Sequence, residues 1–167
     1  MFLNPMPNQI TLNKIYTDED TKTHDGYKKA SSRLRRAFIK LPRFIPYAFN
    51  KNSLDFGCGG GFVAYALSFV AKSSTGIDIN EKAVSYAKKR FEYVNYYCTD
   101  FAALLKSKEK YDFVGFTLFT LNGEKLFPLI KRIKNESTTK IIVGGPLPTV
   151  DSKWVMQQCK AIDYAVL

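Results

Sequence analysis

Leu54-Asp55-Phe56-Gly57-Cys58-Gly59-Gly60-Gly61 decides the fold, because a short apolar stretch runs directly into a cluster of glycines and then into a helical run, residues 62–70. Glycine adopts positive φ readily and carries no Cβ to obstruct a ligand. Between a strand and a helix, such a loop brings backbone amides and the positive end of the helix dipole to one place, which suits an anion. A strand, a glycine loop and a helix together form the opening unit of a nucleotide-binding α/β fold.

Working outward, residues 74–79 form a second expected strand ending at Asp78, and Asn80 is placed to cap a helix over 81–91 with Ala83, Val84 and Ala87 on one face. Further strands are expected at 94–98, 111–119, 140–143 and 162–167, with helices at 101–105, 124–134 and 152–160. The run at 111–119 is apolar enough to be covered on both faces. Upstream, Tyr27, Ala30, Leu34, Ala37 and Phe38 recur at helical spacing among seven Lys and Arg residues up to Arg43, predicting a basic amphipathic helix over 27–41 closed by Pro42 and Pro46. Residues 1–25 are polar and without periodicity, and read as an arm or lid. Strands alternating with helices predict a doubly wound, Rossmann-like parallel α/β sheet, with ligands at the carboxyl ends of the strands.

At 167 residues, 46% hydrophobic and 24% charged, the chain is expected to form one domain, residues 26–167, behind its arm. Cys58, Cys98 and Cys159 are widely spaced and odd in number, which speaks against a disulfide framework or a metal site. The N-terminus has neither a basic n-region nor a long apolar run, so a cytoplasmic protein without membrane attachment is expected. The net charge of +10 would attract polyanions, although Lys- and Arg-rich runs more often form solvated helix faces.

A glycine loop alone serves several nucleotides. A dinucleotide fingerprint needs a small residue five positions after the first glycine, where this chain has Phe62, and no Lys-Ser or Lys-Thr pair follows to make a P-loop. The glycines at 57, 59 and 61 give instead the form G-x-G-x-G. Asp78, at the end of the second strand, is placed to accept from both hydroxyls of a ribose or to face the N-terminus of the following helix. Asp100 is placed either to accept from an adenine amino group, with Phe101 against the ring, or to cap the short helix after it. His24, the single histidine, lies in the arm and reads as an idle surface residue.

LDFGCGGG, GIDINEKAVSYAKKRF, YYCTDF and YDFVGFTLF resemble, in order and spacing, the first four strand motifs of class I S-adenosylmethionine (SAM) dependent methyltransferases, over about residues 16–120. The resemblance implies SAM as cofactor and Asp55, Gly57, Cys58, Gly59, Gly61, Asp78, Ile79, Asp100 and Phe101 as residues that hold it. Asp55 would attract the methionyl ammonium and the loop amides its carboxylate. Tyr16 and Tyr27 are implied as lid contacts.

The tail departs from that pattern. The family ends in an antiparallel strand pair, and the residues after Val150 are too few for a helix and both strands, so the pair is expected to be truncated. Residues 111–167, with their Gly144-Gly145-Pro146-Leu147-Pro148-Thr149 turn, resemble the cobalamin-binding domain of radical SAM enzymes. The leading expectation is methyl transfer from SAM to a small molecule. The alternatives are a non-catalytic or partner-dependent SAM- or cobalamin-binding module, and an RNA methyltransferase that uses the basic helix. An open final strand bearing Tyr164, Val166 and Leu167 predicts a homodimer through the C-terminal edge.

Overall fold

A computed structural model describes residues 29–99, 110–120 and 123–166. Its elements in chain order are α1 (Ala30–Ala48), β1 (Asn52–Phe56), α2 (Phe62–Leu67), β2 (Ser73–Asp78), α3 (Glu81–Arg90), β3 (Asn95–Cys98), β4 (Phe113–Thr117), α4 (Gly123–Glu136), β5 (Lys140–Gly144), α5 (Pro146–Gln158) and β6 (Tyr164–Ala165). The arm, residues 1–25, and the expected helix at 101–105 lie outside the described residues.

The strands form one six-stranded sheet in the order β3-β2-β1-β4-β5-β6. Every pairing is parallel, as the alternation of strands and helices predicts. Phe56 stands level with Ile77 on one side and Phe116 on the other, so the C-terminal ends of the three central strands lie side by side. The chain reverses its direction of travel across the sheet between β1 and β4, which opens the crevice where such folds place ligands.

Strand alternation divides the core. Leu54, Ile77, Val114, Phe116, Ile141 and Val143 point to one face and pack with Phe127, Ile130 and Ile133 of α4 and Val155 of α5. On the other face, Phe113 and Ile142 meet Ala48 of α1 and Leu67 of α2, beside a second cluster that joins Ala37, Phe62, Ala64, Val84 and Ala87. Thus β4 is buried on both faces, and the short α2 is held by packing more than by intrinsic helicity. Asn80 caps α3 as expected, its Oδ1 accepting from Ala83 N–H at 3.0 Å.

α1 corrects the sequence expectation. It does not close at Pro42 but continues through Pro42 and Pro46 to Ala48. Both prolines are exposed, so their rings stay clear of the packed face of the helix. On the opposite side Ala37, Leu41, Phe44, Tyr47 and Ala48 pack against the domain, and Tyr47 meets Tyr164 at a 4.4 Å ring separation. An interior proline costs a helix about 3 kcal/mol. Burial of several apolar side chains, at about 1.5–3 kcal/mol each, outweighs that.

α5 begins earlier than expected, with Pro146 in its first turn, and its backbone breaks at Asp151, where φ is −145°. Asp151 Oδ1 then accepts from Trp154 N–H at 2.9 Å and starts the second half afresh, which is why the sequence signal begins only at residue 152. β6 is shorter than the expected 162–167. Tyr164 and Val166 pack inward on the cluster of Ala48, Phe113 and Ile142, so the outer edge presents backbone groups more than apolar side chains. No described helix is long and apolar enough to cross a membrane.

Asp163 secures this end of the sheet. Its Oδ2 accepts from Lys134 Nζ at 2.6 Å and from Ile141 N–H at 2.8 Å, and its Oδ1 from Lys140 Nζ at 3.3 Å. Burial alone would raise this carboxyl, but the bonds from Lys134, Ile141 and Lys140 together hold it below the usual range. Asp163→Ala is expected to lower stability at pH 7 by about 2 kcal/mol, or roughly 5 °C in melting temperature. A depressed carboxylate contributes its stability above the unfolded value of about 3.9 and loses it as pH falls through the folded value. Thermal melts of the two proteins should therefore converge as the pH is taken toward about 2.

Candidate cofactor site

The loop after β1 has the backbone its glycines predict. Gly57, Gly59 and Gly61 have φ of +74°, +51° and +78°, the three positions of the G-x-G-x-G form. Among the described residues, a Cβ on Gly57 or Gly59 would meet nothing within 4 Å, so these two border open space there. Gly61 differs. A Cβ there would lie 2.5 Å from Tyr96 Oη and 2.8 Å from Ala87 Cβ. Tyr96 Oη donates to Gly61 O at 3.0 Å, and burial pushes its phenol far above the usual range.

Tyr96 was not among the expected site residues. The signal that points to it is Gly76, a glycine inside β2 whose missing Cβ leaves room for the Tyr96 ring at 2.8 Å.

Asp78 does more than its position at the strand end suggests. Its Oδ2 accepts from Gly59 N–H at 2.8 Å and its Oδ1 from Asn80 N–H at 2.9 Å, so one carboxylate ties the glycine loop to the start of α3. Each oxygen keeps a further lone pair for a ligand hydroxyl. The loop amides are less available than expected. Gly57 and Cys58 both donate to Ile77 O at 2.9 Å and Gly61 donates to Cys58 O, while Gly59 is held by Asp78. The cradle of loop amides for an anion is correspondingly narrow, and the loop is built mainly for its shape.

Gly57, Asp78 and Ile79 line a cavity of about 390 Å³ with Phe56, Thr99, Thr117 and Phe119. Ile79 is exposed. The cavity is within the range of small-ligand sites. It joins an open glycine surface to a carboxylate at the end of the neighbouring strand. Asp100 and Phe101 lie outside the described residues.

Asp55 stands two residues before the loop and lines a separate cavity on the other face of the sheet. Desolvation raises its carboxyl to about 7, the negative charge of Asp78 adding to this and a backbone hydrogen bond with Ala64 opposing it. Cys58 is buried, and burial together with Asp55 and Asp78 pushes its thiol up.

Residues 54–135 match the family model described as a methyltransferase domain. Over 68 residues the chain is 35% identical to the ubiquinone biosynthesis O-methyltransferase of Coxiella burnetii, a match that covers 38% of this chain and 29% of that protein. The chain thus spans less than a third of the length of this curated relative. Among solved structures, a plantazolicin methyltransferase in complex with a desmethyl analog and S-adenosylhomocysteine superposes with a TM-score of 0.57 at 21% identity, covering 90% of this chain and 66% of that one. The N-methyltransferase NodS from Bradyrhizobium japonicum superposes with a TM-score of 0.55 at 16% identity, covering 79% and 83%. At these identities the superpositions speak for the fold. Fold, glycine loop and family model thus agree over residues 54–135, just under half of the chain, where it is similar to a methyltransferase domain.

Proposed function

We propose that the chain binds SAM through the β1 loop and Asp78 and transfers its methyl group to a small-molecule acceptor. The observation that carries this reading is the open loop itself: three glycines at positive φ, two of them bordering free space, tied through Gly59 N–H to the carboxylate that ends β2. Asp78 would accept from the ribose hydroxyls and Ile79 would lie against the base, while Asp55 would attract the methionyl ammonium. Residues 26–167 would form this one unit, with residues 1–25 as an arm over it.

When bound, SAM supplies a methyl on a sulfonium sulfur, and transfer breaks that bond, forms one to the acceptor nucleophile and leaves S-adenosylhomocysteine. The protein's part is then chiefly alignment, which by itself supplies a large share of such rates.

Calorimetry with SAM, S-adenosylhomocysteine, NAD and cobalamin side by side tests the assignment. Binding of the first two alone is expected, and preference for NAD or cobalamin would overturn it. Asp78→Ala should weaken SAM by about 1.5–3 kcal/mol, or roughly 10- to 150-fold, since it removes both the ribose acceptor and the tether on Gly59. An unchanged dissociation constant would remove Asp78 from the site.

A further inference from the structure

Two strands hold the glycine loop. Its first half hangs on β2, where Gly57 and Cys58 donate to Ile77 O at 2.9 Å and Gly59 donates to Asp78 Oδ2 at 2.8 Å. Its last residue is met from β3, where Tyr96 Oη donates to Gly61 O at 3.0 Å. Tyr96 is buried, and its ring takes the room of two absent side chains. A Cβ on Gly61 would lie 2.7 Å from Tyr96 Cζ, and one on Gly76 would lie 2.8 Å from Tyr96 Cδ1 and Cε1. A ring packed this closely between two backbones has little freedom, so its hydroxyl is a fixed point.

The start of α2 does not depend on that hydroxyl. Gly61 O also accepts from Tyr65 N–H at 2.9 Å, the first bond of the helix, so the carbonyl stays paired without Tyr96. What the second bond adds is direction. Gly61 is the N-cap of a six-residue helix, stands at φ +78° and has no side chain with which to fix its own peptide. Glycine supplies the conformation the loop needs, together with a freedom that another group has to remove.

We propose that Tyr96 is a positioning residue for the cofactor: through its bond to Gly61 O it fixes the far end of the glycine loop, and with it the opening beside Gly57 and Gly59. Tyr96 acts through Gly61 and not on the ligand. Burial pushes its phenol far above the usual range, so the hydroxyl remains a donor at neutral pH. The inference rests on the methyl-transfer reading for the identity of the ligand. The hold on the loop stands on its own residues.

The test compares Tyr96→Phe with Thr139→Val, each in the full chain. The first keeps the ring that fills the space at Gly76 and deletes only the hydroxyl. The second deletes a hydroxyl of similar burial at the opposite end of the sheet, where Thr139 Oγ1 donates to Tyr111 O at 2.8 Å just before β5. Both variants should fold and melt a few degrees below the parent. Only Tyr96→Phe is expected to speed hydrogen exchange at the Gly59 and Gly61 amides of the ligand-free protein, by about 3- to 10-fold, as read by NMR. Only Tyr96→Phe should weaken SAM in calorimetry, by a similar factor of about 3- to 10-fold. Loop exchange no faster than in the parent, or equally fast in Thr139→Val, would overturn the hold on the loop. Faster exchange with an unchanged SAM dissociation constant would overturn the positioning role. Failure of the parent to bind SAM would overturn the methyl-transfer reading, and the exchange rates would still decide whether Tyr96 holds the loop.

Discussion

Gly59→Val is expected to lower SAM affinity more than 100-fold, to the edge of detection, while circular dichroism still shows a folded α/β protein. Gly59 sits at φ +51°, a region that a β-branched residue resists, at a cost of about 1–3 kcal/mol. Relaxing that strain would turn the peptide and break the 2.8 Å bond from Gly59 N–H to Asp78. Not relaxing it would leave an isopropyl group in the open space beside the loop, in the way of the proposed cofactor site. Either course damages binding. The fold is expected to survive because, among the described residues, no atom stands within 4 Å of the new Cβ. Gly61→Val provides the contrast, because its Cβ would run into Tyr96 and Ala87 at less than 3 Å. That variant should lose thermal stability as well as SAM. Normal SAM binding by Gly59→Val would show that the loop is a turn and nothing more.

Asp55→Asn is expected to make the ligand-free protein more stable at pH 8 and to weaken SAM at the same pH. The Asp55 carboxyl is raised to about 7, first by desolvation and then by Asp78. A carboxyl raised in the folded state destabilises that state when ionised. Its contribution is most favourable below the unfolded value of about 3.9 and is lost as pH rises through the folded value near 7. A shift of this size is of the order of 2–4 kcal/mol at 1.36 kcal/mol per unit. An amide of the same shape carries no such cost. The variant should therefore melt several degrees higher at pH 8, the difference fading toward pH 4.

The gain has a functional counterpart. A neutral amide has little attraction for an ammonium group, so SAM affinity at pH 8 should fall by about tenfold. Affinity in the unsubstituted protein should rise between pH 6 and 8 as Asp55 ionises, and the variant should lose that dependence. Melting curves at pH 5 and 8, with titrations at pH 6, 7 and 8, check both parts. A variant less stable than its parent at pH 8, or one with the parent's pH profile, would separate Asp55 from the ammonium.

The sequence by itself determined the order of strands and helices and the glycine loop, because both are written in local terms. Apolar stretches alternate with helical faces, and glycines stand where positive φ is needed: 57, 59 and 61, not 60. Asn80 as a cap and Asp78 at the strand end were likewise legible from their place beside a helix start. Tertiary structure decided the rest. α1 runs through two prolines because its apolar face has a domain to pack on, a gain that no local window contains. Tyr96 reaches Gly61 across 35 residues of chain because parallel strands place β3 beside β2, and Asp78 holds Gly59 for the same reason. The raised carboxyl of Asp55 arises only in the folded sheet, since desolvation and the proximity of Asp78 depend on what surrounds a residue in space.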